Sequence, residues 1–189
     1  MSFNSSSRLA ASNSTGYQSG TQNMANEHQV LSSELKNAEQ FLTFQLADEA
    51  YGVEILKVQE IRGWEPVRII PNTPSFVKGA LNLRGTVVPI IDLRERFGMP
   101  IAEHTPVTVV IVLNVENGAN SYVVGIVADT VSDVLDIKLS DIKKAPDLGS
   151  QIDTRYMRGM YVSKQGMTML LNIDKLLNQE EFGQISSIA

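Results

Sequence analysis

Two stretches of this chain repeat one another in the same order, and that duplication limits the possible folds more than any other feature. Gly52-Val53, Val58, Glu60 and Ile61 recur as Gly125-Ile126, Val131, Asp133 and Val134 at a constant offset of 73 residues. Further along, Gly79, Asp92, Leu93 and Phe97 recur as Gly159, Asn172, Ile173 and Leu177 at an offset of 80. Units of ~60–75 residues bury a modest fraction of their surface and are marginal alone. Closing each sheet into a small barrel removes exposed strand edges, and packing the two barrels together adds core.

The local pattern within each unit is β-type. Phe41 to Leu46 and Tyr51 to Ile55 flank Ala47-Asp48-Glu49-Ala50 as a hairpin. Lys57 to Arg62 alternates polar and apolar, the pattern of a half-buried strand. Ala80 to Leu83 and Val87 to Ile91 surround a turn at Arg84-Gly85, and Asp92 to Phe97 predicts a short capped helix that stops at Gly98. The second unit offers strands over Val107–Val115, Tyr122–Val127, Val131–Ile137, Met157–Val162 and Met167–Leu171. A turn of helix over Ser140–Lys144 and a closing helix over Asn172–Gln179 complete it. This predicts an all-β chain of two small barrels, the first over about 41–100 and the second over about 101–179, with a ligand groove between them. Residues 1–38 are expected to form a disordered or partly helical extension, and 182–189 a C-terminal tail, because Ser, Asn, Gln and Gly cannot bury enough apolar area to order the first segment.

Composition narrows the function. Sixteen Lys and Arg against twenty-one Asp and Glu give a net charge of −5, which opposes nucleic-acid binding, since that rests on neutralising phosphates. Zero cysteines exclude disulfides, thiolate metal sites and a cysteine nucleophile. No secretory signal or membrane-length apolar run is present, so a soluble protein is expected, without direct membrane insertion, and the lack of cysteine is compatible with a reducing cytoplasm. No phosphate loop, dinucleotide fingerprint or nucleophile elbow occurs. His28 and His104 stand apart in polar segments, so no metal and no cofactor is expected. Ala128-Asp129-Thr130-Val131 resembles an aspartic-protease fragment, but the repeat sets Leu56 opposite Asp129, so the carboxylate dyad has no second member. No catalytic constellation is therefore singled out.

What remains are candidates for binding. Glu60 and Asp133 are the acidic pair that the repeat preserves. Arg84 precedes a glycine that tolerates a positive φ, which leaves its guanidinium free to project. Val58, Val109, Val110, Val131 and Val134 are candidates either for the core or for an apolar groove.

Several of these segments resemble one family closely. Tyr51-Gly52-Val53-Glu54-Ile55-Leu56-Lys57-Val58-Gln59-Glu60-Ile61-Arg62-Gly63 is similar to the signature of the CheW-like coupling proteins of bacterial chemotaxis. So is Asn72-Thr73-Pro74 through Asn82-Leu83-Arg84-Gly85, with Val88-Pro89-Ile90-Ile91-Asp92-Leu93-Arg94. Val131-Ser132-Asp133-Val134-Leu135 and Asn172-Ile173-Asp174-Lys175-Leu176-Leu177 fit as well, and the likeness spans about residues 39–181.

The resemblance implies two five-stranded SH3-like β-barrels and a non-catalytic adaptor. The implied partners are the histidine kinase CheA, through its regulatory domain, and the cytoplasmic tips of methyl-accepting chemotaxis receptors, in membrane-attached arrays. The isolated chain is then expected to be a monomer. An adaptor of another chemosensory pathway is the alternative. Receptor coupling falls by motif on Val58, Glu60, Gly79, Arg84, Gly85, Val109, Val110, Gly125, Val131 and Val134. A kinase-facing contact falls on Lys143, Pro146 and Leu148, where leucine stands in place of an expected aromatic.

Overall fold

The computed structural model describes residues 37–118, 120–144, 154–177, 181 and 183. The N-terminal extension up to residue 36 lies outside them, as do most of the C-terminal tail and the end of the closing helix expected over 172–179.

The described chain forms strands β1 (Ala38–Leu46), β2 (Glu49–Glu54), β3 (Val58–Gly63), β4 (Val77–Leu83) and β5 (Thr86–Asp92). After a connector come β6 (Val109–Asn117), β7 (Asn120–Ala128), β8 (Thr130–Lys138), β9 (Met157–Ser163) and β10 (Gly166–Leu171). A four-residue helix, α1 (Leu93–Arg96), follows β5, and the Asp92 carboxylate accepts hydrogen bonds from the backbone N–H groups of Arg94 and Glu95. This satisfies donors that a helix start otherwise leaves unpaired. At the equivalent place after β10 the chain makes a 3₁₀ turn, Ile173–Lys175, in place of the expected longer helix. Ile173, Leu176 and Leu177 drop straight into the core there.

The strands form two five-stranded sheets, ordered β8-β1-β2-β10-β9 and β3-β6-β7-β5-β4. Exchanging each strand for its repeat counterpart (β1 for β6, β2 for β7, β8 for β3, β10 for β5, β9 for β4) converts one order into the other. Even the parallel pairings match, β2 with β10 in the first sheet and β7 with β5 in the second. The duplication is thus confirmed as architecture, and the all-β class with it.

The barrel boundaries expected at 41–100 and 101–179 are corrected. Each sheet takes its first two strands from one repeat and the other three from the opposite repeat. The chain crosses from sheet to sheet through the 3₁₀ turn Ile55–Lys57 after β2, and again between β7 and β8. The exchange threads the repeats through each other, so neither sheet is complete without both.

The burial pattern explains why the exchange is favourable. The largest apolar cluster draws on both sheets: Leu42, Phe44 and Tyr51 from the first pack with Ile91, Ile111 and Ile126 from the second. A smaller cluster of Leu81, Val88, Ile90, Val110, Val112 and Val127 belongs to the second sheet, and Phe41, Ile137 and Leu170 to the first. In β6, Ile111 and Leu113 face the shared core while Val110 and Val112 face the second sheet's own cluster. Burial on both faces accounts for its unbroken apolar run, where a one-sided strand would alternate. Full burial of each such side chain contributes roughly 1.5–3 kcal/mol.

Candidate interaction site

The β4–β5 hairpin positions the most exposed charge among the candidates. Leu83 pairs with Thr86, so Arg84-Gly85 is a two-residue loop. Both residues have positive φ, 53° at Arg84 and 93° at Gly85, as a type I′ turn requires. Glycine was the expected source of positive φ; the arginine shares it. The Asn82 carboxamide accepts from the Gly85 N–H at 2.8 Å and steadies the loop. Held this way, the Arg84 side chain is 92% exposed.

Across from it, β3 is a strand as expected, but its apolar residues do not all face inward: a bulge between Val58 and Glu60 puts Glu60 and Arg62 on the half-buried face and leaves Ile61 43% exposed. Glu60 Oε2 lies 3.6 Å from Arg84 Nη2, and Glu60 Oε1 lies 3.8 Å from Arg62 Nη1. Arg62 donates through Nη2 to Glu65 at 2.8 Å. Four charges of alternating sign thus run from the β4–β5 hairpin to β3 and the segment after it, bringing together strands from opposite ends of the second sheet's order. The depression beside them has a volume of about 210 Å³ and is lined by Gln59, Glu60, Leu83, Arg84, Thr86 and Val123, among others. Its walls come from β3, the hairpin and β7, all in the second sheet. At the expected inter-barrel position the two sheets are instead joined by the shared core.

The predicted coupling residues separate by burial. Glu60 and Arg84 line the depression, and Gly85 lies in the loop that carries Arg84. Val58, Val109 and Val131 are half-buried against the shared core, and Val134 is 45% exposed on β8. Val110, Gly79 and Gly125 are buried. A Cβ on Gly125 would come within 2.5 Å of Ile90 Cδ1 and 2.7 Å of Val110 Cγ1. At Gly79, with φ of 148°, a Cβ would lie 2.2 Å from the Arg68 carbonyl oxygen and disrupt the Arg68–Ala80 bridge. These glycines shape the sheet beneath the site.

Asp133, the repeat partner of Glu60, is exposed and tied to β1 by its backbone: its N–H donates to Thr43 Oγ1 and its carbonyl accepts from the same hydroxyl. The structure therefore does not bring the two acids into one constellation. Lys143 pairs through its backbone with Met160, the counterpart of the Arg68–Ala80 bridge. Pro146 and Leu148 lie outside the described residues.

Sequence reasoning missed Arg62, Glu65, Gln59, Thr86 and Val123. The acid–base alternation along one face of β3 was a usable signal for Arg62. Val123 had none, since β7 reaches the depression only through sheet pairing. Among the described residues no group of three His, Asp or Glu side chains could hold a metal ion. Nor is any described helix long and apolar enough to cross a membrane.

Fold and site together define a duplicated all-β module whose distinguishing surface is a shallow, charged depression. The CheW-like domain family matches residues 40–181, and the chain belongs to that family. It is 46% identical over 151 residues to Chemotaxis protein CheW of Klebsiella aerogenes, covering 80% of this chain and 89% of that one. It is 38% identical over 142 residues to Chemotaxis protein CheW of Rhizobium meliloti, covering 75% and 89%. A crystal structure of the scaffolding protein TtCheW from Thermoanaerobacter tengcongensis superposes with a TM-score of 0.68 at 28% identity, covering 76% of this chain and 90% of that one.

Proposed function

We propose that this chain is a non-catalytic chemotaxis scaffold that couples methyl-accepting chemoreceptors to the histidine kinase CheA at the cytoplasmic face of receptor arrays. Membership of the CheW-like family across 142 residues, 40 to 181, carries the proposal. The local geometry supports it. Arg84 is presented at 92% exposure from a rigid two-residue loop, beside a carboxylate that can re-pair with a partner's charges. Such groups contribute little to folding but much to partner choice. To act as more than a tether, the scaffold must contact its partners differently in kinase-on and kinase-off states.

The test is reconstitution. Purified CheA and a receptor cytoplasmic fragment are assayed for kinase autophosphorylation with and without this chain. Receptor-dependent stimulation that requires the chain is expected. Equal stimulation without it, or phosphate accumulating on the chain itself, overturns the proposal.

A further inference from the structure

Two ion pairs join the repeats at equivalent places. Arg94, on α1 after β5, donates through Nε to Asp129 Oδ1 at 2.9 Å and through Nη2 to Oδ2. Asp129 lies between β7 and β8. Lys57, between β2 and β3, donates to Oδ2 of Asp174 in the 3₁₀ turn after β10. In the repeat, Arg94 corresponds to Asp174 at the offset of 80, and Lys57 lies one position beyond Leu56, the counterpart of Asp129 at the offset of 73. Each pair therefore fastens the entry to the third strand of one repeat to the exit from the fifth strand of the other.

The environments match closely. The two bases are 16% and 17% exposed and the two acids 32% and 31%. Each acid also accepts a backbone N–H from the first hairpin of a repeat, Ala47 onto Asp129 at 2.7 Å and Glu116 onto Asp174 at 2.8 Å. The polarity, however, is reversed. Both bases belong to the first repeat and both acids to the second.

A duplicated chain faces a specific hazard. Its repeats offer equivalent strand edges, so the first repeat of one molecule can pair with the first repeat of another, leaving the second repeats to pair likewise and propagate a chain. In that arrangement Arg94 would meet a lysine, and Asp129 would meet an aspartate. Half-buried like charges repel, while unlike pairing is matched at both places. We propose that the opposite charging of these two latches directs each repeat to its unlike partner and away from the same repeat of a second copy. Covalent connection then favours the partner in the same chain, whose effective concentration is high.

The experiment separates polarity from ion-pair strength. The double variant Arg94→Asp with Asp129→Arg keeps both native latches matched, but each repeat then carries one base and one acid, so like-with-like pairing is matched too. The fourfold variant, with Lys57→Asp and Asp174→Lys added, makes the first repeat wholly acidic and the second wholly basic, which restores the rule. Full-length proteins are refolded from urea over a range of concentrations and analysed by size-exclusion chromatography with light scattering and by far-UV circular dichroism.

The wild type and the fourfold variant are expected to return as monomers with the same spectrum. The double variant is expected to give oligomers whose fraction rises with concentration, or to fail to recover the native spectrum. Monomers from the double variant at every concentration overturn the proposal. So do oligomers or misfolding in the fourfold variant, because polarity would then not be the controlling property.

Discussion

The Arg84 guanidinium stands 3.6 Å from the Glu60 carboxylate, joining the tip of the β4–β5 hairpin to the edge strand β3. An ion pair this exposed contributes about 0–1 kcal/mol to stability. On the proposed function, its role is to present charge to a partner. Arg84→Glu is expected to fold with an unfolding free energy within about 1 kcal/mol of wild type and to lose receptor-dependent activation while still binding CheA. Normal activation by the folded variant would remove this site from coupling. Adding Glu60→Arg distinguishes two modes: recovery identifies the internal pair as the required feature, and continued failure identifies direct charge contacts with the receptor.

The glycines rank by the space they occupy. Gly85→Ala meets open space and bears only the left-handed backbone penalty, about 1–2 kcal/mol. Gly125→Ala forces Ile90 and the stiff Val110 apart, an overpacking that costs typically ~1–3 kcal/mol. Gly79→Ala combines a φ of 148° with a 2.2 Å approach to backbone and should be the most destabilising of the three. Urea denaturation of the set checks the order, and a Gly79→Ala protein as stable as Gly85→Ala contradicts it.

Alkaline pH should weaken the shared core through Tyr51. This ring is fully buried, and burial together with the hydrogen bond to Glu49 pushes its phenol well above the ordinary tyrosine value. A folded-state value above the unfolded one, ~10, means the neutral phenol's stabilisation is fully present below pH ~10 and falls as pH rises beyond it. Tyr51→Phe removes that contribution. The difference in unfolding midpoint between wild type and Tyr51→Phe should therefore move in favour of the variant as pH is raised from neutral into this range, and a difference constant with pH refutes the assignment.

Trp64, the single tryptophan, stacks on His104 with ring centroids 3.8 Å apart. His104→Ala should expose one face of the indole and red-shift its emission, at a stability cost of about 0.5–1.5 kcal/mol. An emission maximum identical to wild type would show that the ring is shielded by other groups.

Much of the site was readable because its signals are local. The turn at Arg84-Gly85, the strand over Val58–Arg62 and the Asp92 cap are each decided by residues within a few positions of one another. Glu60 and Arg84 are each legible separately for that reason, and the fold brings their charges within 3.6 Å. The core was harder to divide. Val109 and Val110 look alike in sequence, yet Val110 is fully buried inside the second sheet while Val109 packs half-buried on the shared core. A strand covered on both faces carries no period by which to separate its sides. Val123 joined the site only through pairing of β7 with β6 and β5.

The sequence by itself determined the duplication, the positions of most strands, the tight turns and the all-β class, because each follows from residue pattern and backbone preference over short spans. It left undecided which copy of each strand pairs with which. Both repeats carry the same pattern, so β1 and β2 could satisfy equivalent edges in either copy, and no local preference separates the choices. Tertiary structure decided it through contacts between residues far apart in the chain. The exchanged arrangement lets one apolar cluster span both sheets, and it brings Arg94 to Asp129, 35 positions away, and Lys57 to Asp174, 117 positions away. Burial and charge matching act on the assembled chain, so the interleaving becomes visible only when the strands are in place.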